Sequence, residues 1–132
     1  MKLNIDCCRD ILLLVESCEY NQILRFEDMQ RELSKYADDE LQYCSYKMYE
    51  AGYISVNKTD YCNYASPVIH WINNLTFSGH QFLEKIRDDD RWGKIKKGAS
   101  SVRDYSLSAI SAIAEGMTAA AISAWASSQI PR

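Results

Sequence analysis

No Cys-x-x-Cys pair occurs in this chain, although it carries five cysteines (Cys7, Cys8, Cys18, Cys44 and Cys62). An odd number without that spacing argues against a disulfide framework and for reduced, mostly buried thiols, as in a cytoplasmic protein. There are only two histidines, His70 and His80, and neither completes a zinc-ligand spacing with the cysteines, so no metal is expected. Also missing are a nucleophile elbow, a phosphate loop and an HExxH pair. Two features resemble catalytic parts, His80 and the run Asp88-Asp89-Asp90. The histidine falls early in a helix that packs on the core, where a structural hydrogen bond is the ordinary role. Three consecutive carboxylates on a helix point in different directions, which suits a helix stop and an N-cap. No catalytic residue and no cofactor is expected, and the chain is not read as an enzyme. No apolar run follows a basic start, which argues against a secretory signal.

Apolar residues make up 47% of the 132 and aromatics 11%, enough to fill one ordinary core with an appendage left over. Residues 6–18 have helical spacing at Ile11, Leu12, Val15 and Cys18, with Asp6 as a cap. A short second helix runs from Glu27 to Tyr36 with Met29 and Leu33 inward. After the turn Ala37-Asp38-Asp39-Glu40, a third helix runs to about Ala51, capped by Asp38 or Asp39, with Leu41, Cys44 and Met48 inside and Gly52 as its stop. The period then falls from 3.6 to 2. Tyr53–Val56 reads as a strand, Asn57–Ser66 as a loop, and Pro67–Ile72 as the returning strand. Asn73-Asn74 reads as a turn, after which Thr76 caps a fourth helix with Phe77, Phe82, Leu83 and Ile86. A short amphipathic piece with Trp92 and Ile95 follows. The fold class expected is mainly α with a small β-hairpin: a winged helix-turn-helix domain over residues 1–97, then an Ala/Ser-rich helical segment over 98–132.

Specific residues carry a resemblance. Met48-x-x-Ala51-Gly52-Tyr53-Ile54 resembles the junction where the third helix of winged-helix proteins enters the first wing strand. Leu75-Thr76-x-x-Gly79-His80-x-Phe82-Leu83-x-x-Ile86-Arg87, followed by Trp92, resembles the post-wing helix of an uncharacterised winged-helix family of bacteria and their phages, domain of unknown function 2513. Met1-Lys2-Leu3-Asn4 and Arg9-Asp10-Ile11-Leu12 are similar too. The resemblance covers about residues 1–97 and implies a fold without an established activity. The wing loop and the C-terminal segment are less typical of it.

The outward set on the third helix is Gln42, Tyr43, Tyr46, Lys47 and Glu50. On a DNA-binding relative this helix enters the major groove, where Gln pairs with adenine and Lys with guanine or phosphate. A protein-contact face is the competing reading, because residues 21–52 hold four basic groups against seven acidic ones. The wing offers Lys58, Tyr61, Tyr64 and His70, aromatic and nearly neutral where a DNA-gripping wing brings several cations. The basic cluster that includes Lys94, Lys96 and Lys97 would contact phosphate or form a solvated face. Ser108, Ala112, Gly116, Ala120, Ala124 and Ser128 recur every four residues, a row along which another helix backbone can approach. Ile110, Met117 and Trp125 belong to the apolar seam beside it. Self-association through residues 102–130 is the leading expectation for this segment, with packing on the chain's own domain as the alternative. A membrane span is disfavoured by Glu115. Function stays open between an oligomeric, DNA-binding transcriptional regulator and a protein-interaction adaptor that uses the same fold.

Overall fold

The computed structural model describes residues 1–117. They fall into two units, Met1–Glu84 and a second that begins at Lys85. Each is mainly or wholly helical, and the first contains a small antiparallel sheet. The boundary expected after residue 97 lies inside a helix.

The first unit opens with α1 (Ile5–Glu16), followed by β1 (Leu24–Arg25), α2 (Phe26–Glu32) and α3 (Asp38–Glu50). The hairpin of β2 (Ile54–Thr59) and β3 (Val68–Leu75) comes next, then α4 (Phe77–Ile86), whose last two residues already belong to the second unit. The cap of α1 is Asn4, not Asp6: its Oδ1 accepts from Cys7 N at 3.2 Å, so the helix starts one residue earlier than expected. α2 is shorter than expected and ends at Glu32. α3 is preceded by Ala37, which has no side chain to cap with; instead Glu40 reaches back and accepts from Ala37 N at 3.4 Å. Gly52, at φ 81°, closes α3 in the left-handed conformation that glycine adopts without strain.

The sheet has the order β1-β3-β2. The β2–β3 pairing slips twice: Ser55 faces Asn74 but Val56 faces Ile72, and Asn57 faces Trp71 but Lys58 faces Ile69. Asn73 and His70 are thus the extra residues of two bulges. Each bulge delays the strand's alternation by one residue, so the buried positions of β3 are Ile69, Ile72 and Leu75, three apart instead of two. Both bulged side chains are held, His70 Nε2 against Thr59 Oγ1 at 2.8 Å and Asn73 Oδ1 by the Trp71 indole N–H at 2.9 Å. The residues expected to form a turn, Asn73-Asn74, therefore sit inside the strand.

The core of this unit joins Cys7, Cys8, Ile11, Leu12 and Val15 of α1 to Met29, Leu41, Cys44, Met48, Ile54 and the β3 row. Each large aliphatic side chain buried this way contributes about 1.5–3 kcal/mol. The corner after the hairpin is tight. Thr76 Oγ1 donates to Gly52 O and accepts from Gly79 N, and Tyr53 stacks on Phe82 with ring centroids 4.5 Å apart.

The second unit contains α5 (Asp89–Val102) and α6, which covers residues 107–117 of the described chain. Asp88 caps α5, its carboxylate accepting from Arg91 N at 2.8 Å, as the sequence suggested. α5 is a full helix instead of a short piece, and it ends at Arg103, at φ 56°. The 104–129 segment therefore does not continue directly from it. Trp92, Ile95, Ala99, Ile110 and Ala114 are buried, and a side chain at Gly98 would meet Ile113 at 3.2 Å.

Candidate interaction surface

α3 turns Tyr43, Tyr46, Lys47, Tyr49 and Glu50 away from the core, because Leu41, Cys44, Ser45 and Met48 occupy the inward stripe. Gln42 departs from the expected outward role. Its Nε2 donates to Ile69 O and its Oε1 accepts from Ile69 N, both at 2.9 Å. A carboxamide held at both ends by main chain has no donor–acceptor pair left for an adenine edge. Its position explains the arrangement: β1 pairs with Ile72 and Trp71 and then ends, so Gln42 takes the place of the next strand neighbour on β3.

The cations of this face are also engaged. Lys47 Nζ lies 2.7 Å from Glu50 Oε1, and 5.5 and 5.1 Å from the ring centroids of Tyr43 and Tyr46. Lys58 on β2 is 3.0 Å from Asp60 and 5.6 Å from the Tyr49 ring. The ion pair in each case raises the lysine's pKa, so both remain charged, yet each charge is matched locally. Lys58 links α3 to the β2–β3 hairpin, in whose loop Tyr61 and Tyr64 sit 5.4 Å apart and are 47% and 62% exposed. The result is a surface of five tyrosines running from α3 across β2 to the hairpin loop. Asp38 and Asp39 stand exposed at the start of α3, and no ion pair engages either of them among the described residues. Beside them Met1, Asp39, Gln42, Tyr43 and Ser66 line a shallow hollow of about 220 Å³.

Elsewhere in the first unit, Val15, Cys18, Tyr20, Gln22, Asn74 and His80 are among the residues around a groove of about 280 Å³, which no local spacing announces. His80 is exposed there, in the first turns of α4. Cys18 donates to Leu14 O at 3.6 Å, and burial together with Asp28 pushes its thiol up, the opposite of an activated nucleophile. Cys7, Cys8 and Cys44 are free and buried where α1 meets α3; hydrogen bonding to Cys44, and then burial, push the thiols of Cys7 and Cys8 far up. Among the described residues no His/Cys/Asp/Glu group could hold a metal ion, and no helix is long and apolar enough to cross a membrane.

The remaining expected sites lie in the second unit. Lys94 and Lys97 are exposed on α5, and Lys96 is half-buried over the Trp92 ring at 6.0 Å. Of the small-residue row, Ser108, Ala112 and Gly116 are exposed on α6; Met117 is half-buried. Ile110 is wholly buried within the single chain. Ala120, Ala124 and Trp125 lie outside the described residues.

The described chain is thus a mainly helical protein with a three-stranded antiparallel sheet and a tyrosine-lined face. It belongs to the family described as "Hypothetical protein (DUF2513)", which it matches over residues 2–104. No curated protein and no solved structure matches it.

Proposed function

We propose that the first unit is a winged helix-turn-helix module that works as a protein-interaction adaptor, with α3 and the wing as its contact surface. The order of α1, β1, α2, α3 and a two-stranded hairpin supports the winged-helix reading. One observation carries the choice of partner. On the face that would enter a groove, the base-reading amide of Gln42 is bound to Ile69, Lys47 and Lys58 are neutralised by Glu50 and Asp60, and Asp38 and Asp39 face outward. Duplex binding rests on releasing counterions by unpaired Lys and Arg. Protein contacts instead draw on tyrosines, which bury much apolar area and keep one polar handle.

A transcriptional regulator is the competing reading, and it would lean on Lys94 and Lys97 of α5 for phosphate contact. Two selections on the full chain separate the readings: a random duplex pool at low salt and a peptide-display library. The adaptor reading expects no enriched duplex, and peptide ligands whose binding falls when Tyr46 and Tyr49 are changed to Ala. An enriched duplex whose affinity drops steeply with salt and is lost in Lys47→Glu would overturn it.

A further inference from the structure

We propose that the open edge of β2 takes an extended segment of the partner as a fourth strand of the sheet, so that the partner is held through its main chain. This deepens the adaptor reading and rests on it.

The hydrogen bonds of the sheet show which groups are on offer. Gln42 holds both main-chain groups of Ile69, so those groups point away from β2. Lys58 faces Ile69 across the ladder. In an antiparallel sheet two facing residues either bond each other or both turn away, so the N–H and C=O of Lys58 point out of the sheet. Alternation along β2 gives Val56 the same orientation. Among the described residues, no hydrogen bond except those to β3 engages the main chain of Ile54–Thr59.

The two edges of the sheet are treated differently. On the far side of β3, β1 and the Gln42 carboxamide occupy the edge. β2 lacks the devices that usually blunt an edge strand. It contains no proline, both bulges belong to β3, and the ammonium of its one lysine is drawn aside to Asp60 and the Tyr49 ring. What remains is a row of two donors and two acceptors in alternation, which an extended main chain matches with up to four hydrogen bonds. Side chains are selected by α3. Its Gln42 lies on the far side of β3 and its Tyr49 against Lys58, so the helix crosses the sheet toward the open edge. An added strand turns every second side chain toward that tyrosine, and β-branched or aromatic residues suit those positions.

The test selects a displayed library of random dodecapeptides on the full chain, then remakes the tightest ligand with one main-chain nitrogen methylated at a time. Methylation is expected to weaken binding at least about fivefold at every second position across the bound stretch and little between them. In the free chain the amide protons of Val56 and Lys58 should exchange fast and that of Asn57 slowly; saturating peptide should slow the first two at least about tenfold. Val56→Pro removes one outward donor without touching the ladder to β3, and should weaken the peptide at least about fivefold. The methyl scan uses the unaltered chain and does not depend on that variant folding. Equal tolerance of methylation at all positions, or unchanged exchange at Val56 and Lys58, overturns the proposal; if Tyr46 and Tyr49 are still required, the adaptor reading stands. Protection of those two amides that grows with protein concentration in the absence of peptide gives the edge to a second copy of the chain, and overturns it too. If the library yields no ligand, both fall.

Discussion

The carboxamide of Gln42 grips the main chain of Ile69 at both its N–H and its C=O, at 2.9 Å each, across 27 residues of sequence. It fastens the outer face of α3 to the hairpin and occupies the part of β3 that β1 is too short to reach. Both partners are partly sheltered from water, so truncation strands two backbone groups. Gln42→Ala should cost about 1–3 kcal/mol, read as a lower urea midpoint with an unchanged slope. Gln42→Glu should lose much of the same stability at neutral pH, because its carboxylate would face the Ile69 carbonyl without a donor. Faster hydrogen exchange at the Ile69 amide in both variants would locate the effect. A Gln42→Ala variant as stable as the parent would show the clamp to be idle.

Gly79 marks a second close approach. A Cβ there would lie 2.0 Å from the carbonyl oxygen of Tyr53, which is itself fixed by Thr76 N at 3.0 Å and by the stacking of its ring on Phe82. Inside a helix Ala is favoured over Gly by about 1 kcal/mol. Here the steric term should reverse that sign, and Gly79→Ala is expected to lose about 3 kcal/mol. In a thermal melt this corresponds to a drop on the order of 10 °C.

These two residues also show what sequence reading can and cannot reach. The helices were legible because Ile11, Leu12 and Val15, or Leu41, Cys44 and Met48, repeat at the spacing of one helix face. The strand β3 was legible only in its first half. Its bulges at His70 and Asn73 shift the buried set to Ile69, Ile72 and Leu75, which mimics neither period and makes Asn73-Asn74 look like a turn. β1 is two residues long and carries no pattern. In the candidate site, Tyr43, Tyr46 and Lys47 follow from subtracting the inward stripe. Gln42 satisfies the same subtraction, yet its partner is a backbone group on a distant strand, and local spacing holds no trace of it.

Thiol reactivity should separate the five cysteines into three classes. Cys62 is exposed, Cys18 is partly covered, and Cys7, Cys8 and Cys44 are buried between α1 and α3. The reactive species is the thiolate. Burial and the nearby Asp28 raise the Cys18 pKa, so at any given pH less thiolate is present there than in an unperturbed thiol, and its rate should still be climbing above the usual thiol range. With an aromatic disulfide reagent at pH 8, one thiol should react promptly and a second slowly. Three more should appear only on addition of denaturant. Prompt release of four or five equivalents from the native protein would contradict this packing of α1 on α3.

Ile110 and Gly116 lie on the same helix and should respond in opposite senses. Ile110 has no exposed surface, so Ile110→Ala should leave a cavity and cost about 2–5 kcal/mol. Gly116 is exposed, and a Cβ built on it meets nothing within 4 Å. A methyl group there removes backbone freedom from the unfolded chain without a clash, and Gly116→Ala should stabilise by up to about 1 kcal/mol. Self-association through the row Ser108, Ala112 and Gly116 makes the contrary demand, because another backbone lying over Gly116 would collide with the new methyl. Melting curves at two protein concentrations distinguish the cases. A higher, concentration-independent Tm in Gly116→Ala leaves that row facing solvent. A lower Tm that recovers with concentration would place a second copy of the chain upon it.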